Sequence, residues 1–120
     1  MDQATRTVLI VDDDPQILRL VEKMLRPRAF KILVSPRPSQ ALQICENEPV
    51  HLLISDIAMP EMDGTKLMAK VRQLQPDTLV LLISGHYKKE PDLDAHVRFL
   101  KKPFFPSDLL QMLRELLPDL

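Results

Sequence analysis

Short, unbroken apolar runs alternate along this chain with segments whose apolar residues recur every third or fourth position, five of each. Val8 to Val11 is continuous, largely β-branched and ended by Asp12-Asp13-Asp14-Pro15. It predicts a strand followed by a helix, with Asp14 as N-cap and Pro15 in the first helical position. Ile17, Leu18, Val21, Met24 and Leu25 fall on one face of that helix, and Pro27 ends it. Phe30 to Val34 predicts a second strand, and Ser35-Pro36-Arg37-Pro38 leads into a short helix with Ala41, Leu42 and Cys45 inward, stopped near Pro49. Val50 to Ser55 predicts the third strand, with Asp56 at its end. After a loop from Pro60 to Gly64, a helix buries Leu67, Met68, Val71 and Leu74 before Pro76. Leu79 to Ile83 is the fourth strand, closing on Ser84, and Val97 to Leu100 is a short fifth. Between them Gly85 to His96 is polar and weakly periodic, and a helix is expected there. Pro106 opens a last helix, with Leu109, Leu110, Leu113, Leu116 and Leu117 inward.

Strict alternation of strand and helix predicts an α/β fold: a parallel sheet with helices on both faces, because right-handed crossovers place them there. The near-continuous apolar character of strands one, three and four agrees, since interior parallel strands are buried on both sides. No repeat, low-complexity stretch or linker divides the 120 residues, so residues 1–120 are read as one domain without an output domain.

Composition narrows the function. With 45% hydrophobic residues the chain can build a core, and a formal net charge of −1 offers no basic excess for nucleic acid. No helix-turn-helix segment or concentrated basic surface supports direct DNA binding. Its apolar runs are far too short to span a bilayer, and no signal-peptide region follows the N-terminus. One cysteine, Cys45, forms no internal disulfide and fits a reducing compartment, so the expected location is cytoplasmic. Two glycines, Gly64 and Gly85, cannot make a glycine-rich phosphate loop. His51, His86 and His96 are scattered and lack zinc-site spacing.

The chemistry lies at the strand ends. Strand one ends in Asp12-Asp13-Asp14, strand three in Asp56, strand four in Ser84 and strand five in Lys101-Lys102. All are carboxyl ends, where open parallel sheets place their ligand sites. Taken singly, each has a plainer reading: Asp14 as a helix cap, Asp56 and Ser84 as turn residues, the lysines as solvated charges. Joint placement at successive strand ends weakens those readings. Clustered carboxylates repel and call for a counter-ion; oxygen-only donors with few protein ligands suit Mg²⁺. Carboxylates, a hydroxyl and a lysine around such an ion fit phosphoryl transfer to a carboxylate.

Four stretches carry a family resemblance: Val8 to Pro15, Leu53 to Gly64 (LISDIAMPEMDG), Leu82 to Gly85 (LISG) and Phe99 to Phe104 (FLKKPF). Together they resemble the receiver domains of two-component response regulators over nearly the whole chain. The resemblance implies a three-layer, doubly wound (βα)5 fold of flavodoxin-like type, with a five-stranded parallel sheet in order 2-1-3-4-5. It implies Asp56 as phosphoacceptor, taking its phosphoryl group from a histidine kinase or phosphotransfer protein. Asp13, Asp56 and the Ala58 carbonyl would ligate Mg²⁺, with Asp12 acting mainly through water. Ser84 and Lys102 would bind the phosphoryl oxygens, leaving Lys101 solvated. Phe99 would turn inward as Ser84 moves, changing the surface formed by helix four, strand five and helix five. That surface would serve a downstream partner, and a homodimer through it is an assembly the family allows. Ala58 and His86, two residues past Asp56 and Ser84, stand where the family tunes phosphoryl lifetime. The chain would be a regulatory phosphoacceptor that catalyses only its own phosphorylation and dephosphorylation.

Three departures stand out. Ser84 to Lys102 is about one helical turn shorter than the family pattern, the usual Gly-Ala before strand five is missing, and Phe105 occupies the usual helix-cap position. The shortened segment, with its Ser-Gly start, is similar to receivers attached to hybrid histidine kinases. At Phe105 the last helix is expected to leave an amide unsatisfied or to use Ser107. Two rival readings remain: an aspartyl-nucleophile phosphatase of haloacid dehalogenase type attacking through Asp12, and an interaction module that kept the fold without being phosphorylated. Against the phosphatase, Pro15-Gln16 replaces its glycine–threonine continuation and the chain leaves no room for a substrate cap.

Overall fold

Residues 5–85 and 94–120 are described by the computed structural model. Nine elements follow one another: β1 (Arg6–Val11), α1 (Pro15–Leu25), β2 (Phe30–Ser35), α2 (Pro38–Asn47), β3 (Leu52–Asp56), α3 (Gly64–Leu74), β4 (Leu79–Ser84), β5 (Val97–Lys101) and α4 (Pro106–Leu116). All strand pairs are parallel, and the sheet order is β2-β1-β3-β4-β5, the order the resemblance implied. The expected helix between β4 and β5 falls mainly on residues 86–93, outside the described residues, as does His86. Asp94 to His96 form a turn in which Asp94 Oδ1 accepts the His96 amide at 2.8 Å. Among the described residues no helix is long and apolar enough to cross a membrane.

Strand side chains alternate between two cores because successive residues face opposite sides of a pleated sheet. Val8, Ile10, Ile54, Leu81 and Ile83 meet Val21 and Leu25 of α1 and Leu109 and Leu113 of α4. Leu9, Val11, Leu53, Val80 and Leu82 meet Ala41 and Cys45 of α2 and Leu67 and Val71 of α3. Twelve large apolar side chains are less than 2% exposed, the double-sided burial that the unbroken strand sequences predicted.

Local signals set the helix starts. Asp14 caps α1, its Oδ1 accepting the Gln16 amide at 2.9 Å, with Pro15 behind it. Asp63 caps α3 through the amides of Thr65 at 2.7 Å and Lys66 at 3.3 Å. At α4 the expectation is corrected. Phe105 has no side-chain acceptor, but Asp108 reaches back and its Oδ2 accepts the Phe105 amide at 2.8 Å. The amide is thus satisfied by Asp108, at the third helical position, rather than by Ser107.

Two other expectations shift. Leu74 is 47% exposed, because the face that Leu67 and Val71 bury ends one turn short of it. β3 begins at Leu52, not Val50: the Gln75 side chain takes the Val50 amide at 2.6 Å and donates to the carbonyls of Cys45 at 2.8 Å and Glu48 at 2.9 Å. Gln75 thereby ties the end of α2 to the approach of β3.

Candidate functional site

Register puts the carboxyl ends of β1, β3, β4 and β5 side by side. Val11 pairs with Ser55, Asp56 with Ile83, and Ser84 with Lys101. The residue that follows each end, or closes it, therefore faces one shared edge. Asp12 leaves β1 only 1% exposed, with its amide on the Ser35 carbonyl at 3.2 Å. Its Oδ1 accepts the Asp14 amide at 2.9 Å, and Oδ2 lies 3.4 Å from Lys102 Nζ. Asp56 closes β3 at 7% exposure, and its Oδ2 is 3.6 Å from the same Nζ. Asp13 is exposed, yet a carboxylate oxygen from each of Asp12, Asp13 and Asp56 lies within 4.8 Å of the others.

Charge in this cluster is held under strain. Burial raises the Asp56 carboxyl above its ordinary pKa and Asp13 adds repulsion, while Lys102 and the Ile57 and Ala58 amides pull down less strongly. Asp12 is likewise raised, by burial first and by Asp56 as well, against the Asp14 amide and Lys102. Among the described residues one ammonium stands with three carboxylates, which leaves excess negative charge. The donor set, all oxygen and converging within a few ångströms, fits a hard divalent cation.

The loop after Asp56 is shaped by Gly64. Its amide donates to the Ile57 carbonyl at 2.8 Å, and a Cβ built there would lie 2.2 Å from the Asp56 carbonyl oxygen. Only glycine lets α3 start this close to the strand end. Glu61 adopts φ 72°, the left-handed region that costs a non-glycine residue energy. Its carboxylate accepts from the Ser39 amide at 3.2 Å and the Ser39 hydroxyl at 3.3 Å, tying the loop to the start of α2. Nothing in the sequence singled out Glu61; that contact depends on where α2 lies.

Ser84 ends β4 at 1% exposure, and its carbonyl accepts the Lys102 amide at 2.9 Å. Beside it, a Cβ built on Gly85 would lie 3.4 Å from Lys102 Cβ, in ordinary contact with the lysine stem. Lys101 is exposed and Lys102 is the lysine in the cluster; the Lys102–Pro103 peptide is cis. Phe99, half-buried in β5, packs against the core on the α2–α3 side. A cleft of about 610 Å³ opens over this edge, with Asp56, Ala58, Gly85 and Lys102 among its lining residues. The structure thus gathers Asp12, Asp13, Asp56 and Lys102, puts Ser84 and Ala58 at the same edge and sets Phe99 on a neighbouring strand. The arrangement can hold a cation, offer a carboxylate oxygen as nucleophile and balance added negative charge.

Comparisons with known proteins agree with this geometry. Residues 8–114 match the family model for the response regulator receiver domain. An uncharacterized 14.6 kDa protein of Leptolyngbya boryana is 36% identical over 118 residues, covering 93% of this chain and 90% of that protein. The response regulator receiver protein CpdR of Brucella abortus is 30% identical, covering 93% of this chain and 97% of CpdR. The crystal structure of the receiver domain from the hybrid histidine kinase CckA superposes with a TM-score of 0.78 at 30% identity, covering 92% of this chain and 98% of that domain. In some other curated relatives the matched stretch is only 26% of the protein's length. A matching family model over most of the chain, near-full-length relatives and the 2-1-3-4-5 sheet lead to one conclusion: this chain belongs to the receiver domains of two-component response regulators.

Proposed function

We propose that the chain is a phosphorylation-driven signalling switch in which Asp56 accepts a phosphoryl group from the phosphohistidine of a histidine kinase or phosphotransfer protein. One observation carries this reading: the Asp56 carboxylate, almost fully buried, opens into a cleft with an ammonium 3.6 Å away and two further carboxylates beside it. Asp56 lines that cleft, whereas Asp12 is not among its lining residues and has one oxygen committed to the Asp14 amide. This favours Asp56 as nucleophile over the phosphatase-like alternative through Asp12.

In the reaction an Asp56 oxygen bonds to phosphorus as the bond from phosphorus to the donor nitrogen breaks, leaving an acyl phosphate on Asp56. Lys102 stands within reach of the new phosphoryl oxygens, and its existing contacts to Asp12 and Asp56 fix its ammonium before the donor arrives. Ser84 donates its hydroxyl to a second phosphoryl oxygen. Asp12, Asp13 and Asp56, with the Ala58 carbonyl, are the groups that would hold Mg²⁺, which when bound neutralises charge on the transferring phosphoryl group. Drawing Ser84 toward the phosphoryl group vacates space for Phe99, and the surface formed by β5 and α4 changes with it. That surface then meets a downstream partner or a second copy. Ala58 and His86 tune the lifetime of the acyl phosphate, Ala58 by offering no group to orient a hydrolytic water. The 120 residues act as one regulatory unit in the cytoplasm, with no substrate turnover beyond the chain's own phosphorylation and dephosphorylation.

Intact-mass measurement after incubation with Mg²⁺ and a small phosphodonor tests this. One added phosphoryl group is expected in the wild type, absent without Mg²⁺ and absent in Asp56→Asn. An adduct that persists in Asp56→Asn moves the nucleophile to Asp12. No adduct, with a competent receiver labelled alongside, leaves the unphosphorylated interaction module.

A further inference from the structure

The loop from Asp56 to α3 contains a strained residue whose side chain is engaged outside the loop. The Met62 amide donates to the Pro60 carbonyl at 2.8 Å across Glu61, whose φ of 72° makes this a tight turn of the strained kind. Such a backbone persists only where its surroundings over-determine it. Two sets of contacts do so here. Met59 and Met62, on either side, pack against the core beneath α2 and α3. The Glu61 carboxylate accepts from the Ser39 amide at 3.2 Å and the Ser39 hydroxyl at 3.3 Å. That acceptor meets a need of α2: Arg37 at its N-cap makes no side-chain hydrogen bond, and Ser39 carries one of the amides that a first helical turn leaves unpaired. Glu61 thus caps α2 from a distant part of the chain, with its negative charge at the positive end of that helix.

The Ala58 amide, between this cap and the strand end, favours the ionised Asp56 carboxylate. Near the strand end the loop is pinned a second time, by the Gly64 amide on the Ile57 carbonyl at 2.8 Å. Residues 58–60 therefore run between two held points, one on β3 and one on α2. We propose that Glu61 is a positioning residue for the carboxylate cluster: through Ser39 it braces the loop against α2 and so keeps Ala58 and the Asp56 carboxylate placed for Mg²⁺. The proposal rests on Asp12, Asp13 and Asp56 being the carboxylates that hold this cation, and Glu61 is not one of those that converge there.

Calorimetric titration of Mg²⁺ into the full chain, with no phosphodonor present, tests this on the wild type and three variants. Glu61→Ala removes the brace, Glu61→Gly removes it and relieves the turn, and Glu61→Gln removes the same charge but keeps an acceptor for Ser39. Loss of an orienting group outside the ligand shell costs about ten- to a hundredfold in metal affinity. Glu61 acts through a loop, so the low end is expected: about a tenfold rise in Kd for Glu61→Ala and Glu61→Gly, and less than about threefold for Glu61→Gln. Glycine adopts the left-handed region without strain, so Glu61→Gly is expected to fold, and its weaker binding then reports placement rather than lost structure. A Kd that Glu61→Ala and Glu61→Gly leave at the wild-type value overturns the proposal while the cation site stands. So does an equal rise in all three variants, which is the effect of charge alone. A wild type that binds no Mg²⁺ overturns the reading of the cluster and the proposal together.

Discussion

Gly64→Ala puts a methyl group where the backbone leaves no room for one. The new Cβ would lie 2.2 Å from the Asp56 carbonyl oxygen and 2.9 Å from Ile57 Cα, and both neighbours are main chain. Ordinary contact requires the carbonyl to withdraw by roughly 1 Å. It is poorly placed to do so: Asp56 pairs with Ile83 in the sheet, the Ile57 amide donates to the Ile83 carbonyl at 2.9 Å, and the Gly64 amide holds the Ile57 carbonyl at 2.8 Å. Overpacking of this kind costs about 1–3 kcal/mol. Alanine's better helix propensity returns little at the first helical residue. A net loss of about 2 kcal/mol is expected, seen as a fall in melting temperature of roughly 8 °C. The same displacement moves Asp56, the proposed nucleophile, and a shift of that size is expected to slow phosphorylation by up to about a hundredfold. Urea unfolding and intact-mass kinetics with one small phosphodonor measure the two effects on the same preparation. A midpoint within about 0.5 kcal/mol of wild type, with phosphorylation undiminished, would refute the close-approach argument.

Gln75→Ala removes the three hydrogen bonds that tie α2 to the start of β3 and is expected to cost about 2 kcal/mol by urea unfolding, with the phosphorylation rate unchanged. At Asp63 burial pushes the carboxyl up, but the Thr65 hydroxyl and amide, the Lys66 amide and the Lys66 charge outweigh it, and the net pKa lies below the usual 3.8. Its stabilisation is therefore full above the unfolded value and lost as pH falls through the folded one. Asp63→Asn, which keeps a capping oxygen, should flatten the fall in stability below pH 3.8; an acid limb identical to wild type would sink the assignment. Burial pushes the Cys45 thiol up to about 11, so iodoacetamide at pH 8 should leave the native chain unmodified and alkylate it once unfolded; rapid native labelling would contradict its packing between α2 and the sheet.

The parts legible in the sequence were those governed by local or one-dimensional signals. The strands declared themselves because interior parallel strands are buried on both faces, which leaves unbroken runs such as Leu79 to Ile83. Asp14 and Pro15 marked the first helix start through short-range capping chemistry. Asp12, Asp56, Ser84 and Lys102 could be gathered on paper because parallel strands align their carboxyl ends at one edge. What stayed hidden depends on partners far along the chain. Gln75 clamps Cys45, Glu48 and Val50, an arrangement with no pattern in the residues around it. Glu61 takes a strained backbone because Ser39 is there to meet it. Asp108 rescues the amide at Phe105, where inspection of the cap position alone predicted a deficit or a rescue by Ser107.

The contact between Asp12 and Lys102 joins residues 90 positions apart. Neither half of the pair means anything to a growing polypeptide until β5 has emerged and docked beside β4, since the loop between them must close first. Proteins fold from their beginnings as they are made, and here β1 delivers its carboxylates before the Lys102 that meets Asp12 has been made. A nascent chain that has already built β1 to β4 thus carries the acidic cluster without the Lys102 ammonium. Under the proposed function, competence to accept a phosphoryl group arrives last, with the fifth strand. In the proposed switch the chemistry itself would serve as a proof of completion, since a chain without its fifth strand lacks the ammonium that stands beside Asp12 and Asp56.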